Sequence, residues 1–117
     1  MLNQHLEEKT VKVKKSKYGN NKKEVDGITF DSEKEANRYK DLKILLKAGE
    51  IGLLELQVPF ELNPGGTYSL KYYADFIYLD SRTGEKVVED VKGFRNKTYL
   101  QKRKLMKKVH EIDIKET

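Results

Sequence analysis

Apolar and polar positions divide the chain into a hairpin, a helix, three strands, a second helix and a last short strand. Residues 1–22 carry many Lys and little apolar periodicity. They predict a basic flexible tail ahead of a single domain over residues 23–117, with room for only a short helix near Leu2 to Glu8. Glu24 to Phe30 sets Asp26-Gly27 between β-forming residues, a strong local signal for a two-residue hairpin. Asp31 or Ser32 is the candidate N-cap of a helix in which Ala36, Tyr39, Leu42, Leu45 and Leu46 recur at helical spacing until Gly49 ends the run. Leu53 to Leu62 mixes apolar and polar residues as a strand does, and Asn63-Pro64-Gly65-Gly66 breaks it as a plain turn. Tyr68 to Leu79 and Lys86 to Lys92 read as two further strands joined by a turn over 80–85. Lys97 to Val109 has helix-forming composition with Leu105, Met106 and Val109 on one side, and Glu111 to Lys115 alternates as a short final strand. After the hairpin the order is helix, three strands, helix, strand, which predicts an α/β (α+β) domain with a mixed central sheet.

Composition narrows the class. At 117 residues the chain has the size of one small domain. Hydrophobic and charged residues each make up 37%, yet 31 residues are Leu, Ile, Val or Phe, enough for a core. The absence of Cys excludes disulfide scaffolds, thiolate zinc sites and cysteine nucleophiles. The two histidines, His5 and His110, are far apart and read as surface residues. No apolar run approaches the roughly 18 residues that span a bilayer, and the N-terminus has no apolar signal-peptide core, so the chain reads as cytoplasmic with no membrane partner.

The formal charge of +5 is unevenly placed. Lys9 to Lys23 holds seven Lys and no acid, and Lys92 to Lys108 holds eight Lys or Arg and no acid. Together these stretches contain 15 of the 24 basic residues, leaving 9 against 19 acidic residues elsewhere. Basic flanks around an acidic centre suit a protein that grips phosphates at its edges and presents carboxylates, through a metal, to one of them. They equally suit a solubilising surface.

A six-residue connection over 80–85 sets the register of the second hairpin: Leu79 faces Lys86, Ile77 faces Val88, Asp75 faces Asp90 and Tyr73 faces Lys92. Facing carboxylates repel, and a divalent hard cation held by both offsets that repulsion. Lys92 then projects from the same face as Asp90 and is placed to orient a water or stabilise developing negative charge. The alternative is a solvated hairpin face with Lys92 as a cross-strand ion partner. Glu35 is also two-sided. Ser32-Glu33-Lys34-Glu35 fits a capping box, yet Glu35, Tyr39, Leu42 and Leu46 share one helical face, so its carboxylate enters the interior and needs a partner. Tyr72 and Tyr73 read either as a base-stacking platform or as core, and Gln101 and Lys102 either touch phosphate or are ordinary surface.

Glu35 on a first helix, Asp75 on a strand, Glu89-Asp90-Val91-Lys92-Gly93 on the next, and a basic helix after it resemble the PD-(D/E)XK nuclease superfamily over roughly residues 30 to 115. The segments Phe30 to Ala36, Tyr73 to Phe76 and Val88 to Gly93 are also similar to a small phage and prophage family of unassigned function in that superfamily, related to Holliday-junction resolvases and to the endonuclease subunit of heteromeric transposases. Ala74 stands where the superfamily pattern has Pro. The resemblance implies a restriction-endonuclease-like core, with Asp75 and Asp90 as ligands of Mg²⁺ or Mn²⁺, Glu35 completing the metal site and Lys92 as the catalytic lysine. It implies an endonuclease acting on branched or duplex DNA as a homodimer in the host cell, with Lys12, Lys14, Lys15, Lys17, Lys97, Lys102 and Arg103 on flanking phosphates. A non-catalytic basic nucleic-acid-binding protein is the competing expectation, and a protein-interaction adaptor using the hairpin and tyrosines is a third.

Overall fold

The computed structural model describes residues 22–91 and 95–117. Strands β1 (Lys23–Val25) and β2 (Ile28–Phe30) form a small antiparallel sheet. Asp26 and Gly27 between them both take positive φ, 55° and 77°, the backbone that a two-residue hairpin turn demands. Helix α1 (Glu33–Lys47) follows, then β3 (Ile51–Glu61), β4 (Lys71–Asp80), β5 (Lys86–Asp90), helix α2 (Lys97–His110) and β6 (Lys115–Glu116). The fold is α+β, and the order after the hairpin is the predicted one. The larger sheet runs β3-β4-β5-β6, antiparallel except for the parallel pair β5 and β6, to which the chain returns through α2.

Both helices begin and end where local chemistry stops the backbone. Ser32 is the N-cap of α1, its Oγ accepting the Glu35 N–H at 3.1 Å, and Asn96 caps α2 by accepting the Tyr99 N–H at 2.7 Å. Gly49, at φ 77°, closes α1 by donating to the Leu46 carbonyl while Glu50 donates to that of Leu45. At the end of α2 it is Glu111 that adopts φ 58°, and the N–H groups of Glu111 and Ile112 reach back to Lys107 and Met106. These amides close the helix. The strand expected over Glu111 to Lys115 is accordingly shorter and later, Lys115–Glu116. The strand expected from Leu53 starts earlier, at Ile51, and Leu53 itself is the exposed residue of a bulge with φ 53°. The strand expected from Tyr68 starts at Lys71, with Tyr68 exposed in the preceding loop.

Two apolar clusters cover the two faces of the sheet. Phe30, Ala36, Tyr39 and Leu42 from β2 and α1 pack with Ile51, Leu54, Leu56, Phe76 and Tyr78. Tyr99 and Met106 of α2, with Ile114, pack with Leu62, Tyr72, Ala74, Ile77 and Val88. Phe76 and Ile77 go to opposite clusters, as alternation requires. That alternation breaks at one rung. Leu56 pairs with Phe76 and both join the α1 cluster, whereas Val58 pairs with Ala74 and both join the α2 cluster, two residues along each strand. Between these pairs stand Gln57, at φ 52°, and Asp75. A left-handed backbone at Gln57 turns β3 over, so the strand pair exchanges faces at this rung.

Candidate functional site

The site is built where the sheet changes face. Glu35 sits in the first turn of α1, held by the Ser32 cap through its backbone N–H, and its buried carboxylate turns toward the sheet. Both readings of this residue are therefore realised in part: the backbone serves the cap and the side chain serves the interior. Gln57 Nε2 donates at 3.1 Å to Glu35 Oε2 and at 3.1 Å to Asp75 Oδ1. Only the NH₂ end of the amide satisfies two carboxylates, because a carbonyl there would face two anionic oxygens. Glu35 and Asp75 thus present oxygens within two hydrogen-bond lengths of each other.

The register expected for β4 and β5 holds over every observed pair, from Leu79 with Lys86 to Phe76 with Glu89. The ladder stops one step short of Asp75 and Asp90. There the Asp75 Oδ2 accepts the Val91 N–H at 2.8 Å, and Asp90 instead pairs with Glu116 of β6. Asp90 is buried and its Oδ2 accepts the Tyr72 hydroxyl. Tyr72 is a buried core residue committed to Asp90, which removes it as a base-stacking platform; its hydroxyl is pushed well above the ordinary range by burial and then by Asp90.

Burial, then the charge of Glu35 and that of Asp90, push the Asp75 carboxyl well above the usual carboxylate range, opposed by the Val91 N–H and Gln57. Asp75 still keeps intermediate exposure to solvent, but protein atoms crowd its carboxyl enough to make desolvation the leading cause. Its two hydrogen-bond partners are neutral. The sign of the linkage follows. Below an unfolded-state value of about 3.9 the proton is bound in both states. As pH rises through the interval up to the raised folded value, the unfolded chain releases a proton that the folded protein retains, so stability falls across it. In EDTA we expect the melting temperature of Asp75→Asn, measured against the wild type, to be lower or equal near pH 4 and to become higher by about 5 °C at neutral pH, on the order of 1 kcal/mol. A difference that does not change with pH would show that burial and the neighbouring charges do not raise the Asp75 carboxyl in the folded protein.

A fourth acidic residue, absent from the expected site, lies on the opposite side of β5 from Asp90. Glu89 is fully buried and takes Arg38 Nε at 2.6 Å and Nη2 at 2.9 Å, the Tyr78 hydroxyl at 2.7 Å and the Thr117 hydroxyl at 3.0 Å. Burial raises its pKa, but Arg38, Tyr78 and Thr117 together outweigh it and hold the carboxyl below its usual range. The bond to Glu89 first, with the Glu89 charge and Tyr78, holds Arg38 more firmly charged, and burial with Glu89 pushes Tyr78 up to about 12. Arg38 lies one turn beyond Glu35, and Glu89 adjoins Asp90. The ion pair therefore ties the helix that carries one site carboxylate to the strand that carries another.

On the far side, Glu116 accepts the Tyr99 hydroxyl at 2.6 Å and pairs with Arg95 and Arg103, each at 3.4 Å. Arg103, expected on phosphate, is thus half-exposed and already paired within the fold beside Asp90; Lys97 and Gln101 are exposed and Lys102 is partly buried. His110 is exposed as expected, and its Nε2 meets the Glu61 carbonyl at 2.7 Å. Lys92 and the tail residues Lys12, Lys14, Lys15 and Lys17 lie outside the described residues. Gln57, Arg38 and Glu89 were invisible as site residues: Leu56-Gln57-Val58 reads as ordinary strand alternation, and an Arg and a Glu 51 residues apart carry no local signal.

The oxygens of Glu35, Asp75 and Asp90 are hard donors, and their mutual repulsion in a partly desolvated place suits a hard divalent cation. Among the described residues, no three His, Cys, Asp or Glu side chains are already grouped as a metal site. Also among those residues, no helix is long and apolar enough to cross a membrane.

Fold and site together define an α+β protein with an acidic cluster where helix α1 meets a mixed sheet. Residues 15–117 match the model of the family described as Protein of unknown function (DUF1064), and the chain belongs to that family. No curated protein and no solved structure matches it.

Proposed function

We propose that the protein is a metal-dependent DNA endonuclease of the PD-(D/E)XK type that hydrolyses phosphodiester bonds. The observation that carries this reading is the Gln57 amide bridging the carboxylates of Glu35 on α1 and Asp75 on β4, with Asp90 of β5 near enough for its charge to act on Asp75. Asp75 and Asp90, with Glu35, would hold Mg²⁺ or Mn²⁺, which supplies polarisation of the phosphate and a lowered pKa for a bound water. The chain's own residues do the rest. Lys92 follows Asp90 by two positions and is assigned to orienting the attacking water and stabilising the developing charge. Lys97 and Lys102 on α2 and the lysines of the basic tail bind flanking phosphates, with a salt-dependent affinity. If the substrate is a branched junction, paired cuts need two sites, and a homodimer is part of the proposal.

The test is cleavage of labelled four-way junction, flap, linear duplex and single-stranded DNA in Mg²⁺, Mn²⁺ or EDTA, beside Lys92→Ala. We expect cutting in either metal, none in EDTA, and loss in the variant, with the preferred substrate separating a junction resolvase from a general nuclease. No cutting of any substrate, with salt-sensitive binding that Asp75→Asn strengthens, would instead establish a non-catalytic nucleic-acid-binding protein.

A further inference from the structure

Gln57 is the one residue of the acidic cluster that the proposed chemistry does not use, and its placement is costly. It occupies a left-handed backbone, φ 52°, in the middle of an eleven-residue strand, a conformation that disfavours side chains other than Gly. That strain turns its side chain to the point between two carboxylates, where both amide hydrogens are used, one on Glu35 and one on Asp75. A primary amide NH₂ is the neutral group that most nearly imitates a cation there: it offers two positive hydrogens to two anionic oxygens at ordinary hydrogen-bond length.

We propose that Gln57 is a built-in placeholder for the cation, bridging Glu35 and Asp75 in the metal-free protein and giving up both bonds when a divalent metal binds. This rests on the metal-binding part of the proposed function. The placeholder holds the two carboxylates about a single donor group, so the acidic cluster survives folding without metal, and it weakens metal binding by the worth of the two bonds that must break. A hydrogen bond to a charged group is worth enough for its loss to change an equilibrium about tenfold. Rotation of the freed amide exchanges its donors for the Oε1 acceptor, so the side chain is not left opposing the incoming charge.

Gln57→Met keeps length and linearity and removes both donors, and Leu53 in the same strand already tolerates an apolar side chain at φ 53°. Gln57→Glu keeps the shape and replaces the amide by a further carboxyl group beside those of Glu35 and Asp75. Mn²⁺ titration calorimetry on the wild type and both variants, with melting temperatures in EDTA and in saturating Mn²⁺, reads the proposal without recourse to activity. We expect both variants to melt below the wild type in EDTA, to bind Mn²⁺ about tenfold more tightly or better, and to recover most of the lost melting temperature when Mn²⁺ is added. Unchanged or weaker Mn²⁺ binding in both variants, with binding intact in the wild type, overturns the placeholder and leaves the metal site standing. Failure of both variants to fold even with Mn²⁺ also overturns it, since Gln57 would then be only a structural brace. Absence of Mn²⁺ binding in the wild type, Gln57→Met and Gln57→Glu alike overturns both the placeholder and the metal site.

Discussion

Arg38→Met is expected to lower stability at neutral pH by about 3 to 5 kcal/mol, a fall of roughly 15 to 25 °C in melting temperature for a domain of this size. The reason is the partner it abandons. Glu89 is fully buried, and Arg38 makes two of its four hydrogen bonds; the Tyr78 and Thr117 hydroxyls remain but carry no charge. An ion pair at this depth adds little over a well-packed apolar pair, but removing one member leaves a charge that desolvation opposes. The variant should also reverse its pH dependence. In the wild type, Glu89 has a lowered folded pKa, so its stabilisation is present above the unfolded value and is lost as pH falls through the folded one. Without Arg38, burial dominates and the folded pKa lies above the unfolded one, so the variant regains stability as pH falls toward the unfolded value. Arg38→Met with Glu89→Gln should recover most of the loss at neutral pH. Thermal melts of the two variants from pH 4 to 8 check this; a single variant within 1 kcal/mol of the wild type, with no change in pH slope, would remove the pair from any role in joining α1 to β5.

Asp75→Asn and Asp90→Asn are each expected to reduce metal-dependent cleavage by on the order of 10³-fold while leaving DNA binding equal or tighter. The two effects separate because the groups act on different charges. A carboxylate that holds a cation against the phosphate contributes in the transition state, and its loss removes several kcal/mol there. In metal-free binding the same carboxylate only repels the phosphates, so its loss helps. Asn preserves the acceptor for the Val91 N–H at position 75 and for the Tyr72 hydroxyl at position 90, and at position 75 it gives up only the bond from Gln57. Cleavage assays in Mn²⁺ beside binding assays in EDTA over a salt series decide the matter. Retained cleavage in both variants would exclude these residues from the chemistry, and weaker binding in both would show that the acids organise the binding surface instead.

These expectations rest on geometry that the chain discloses unevenly. Local rules sufficed where the determining atoms are close in sequence. Asp26-Gly27 supplies the backbone a hairpin turn needs, Ser32 caps the helix that follows, Gly49 closes it, and the six-residue connection after Leu79 sets the β4–β5 register from Leu79 with Lys86 to Phe76 with Glu89. The same rules failed at Glu111. A non-glycine residue in the left-handed conformation ends α2, and the amides that closed the helix were no longer available to a strand.

The order of elements, the α+β class and the β4–β5 register were therefore determined by the sequence alone, because periodicity, caps and turn length act over a few residues. Three matters were decided only by tertiary structure. Alternation along β3 predicts that Leu56 and Val58 share a face, and they do not, because Gln57 between them adopts a left-handed backbone and directs its amide to Glu35 and Asp75, partners 22 and 18 residues away. Glu89 adjoins Asp90 in the chain, yet strand alternation sends it to the other face, where Arg38 waits on a helix 51 residues earlier. Arg103 sits in a basic run that reads as free for phosphate, but the parallel return of β6 places Glu116 against it. In each case the deciding partner is distant in sequence, and a side chain's charge or amide has no preferred partner until the fold brings one within hydrogen-bond reach.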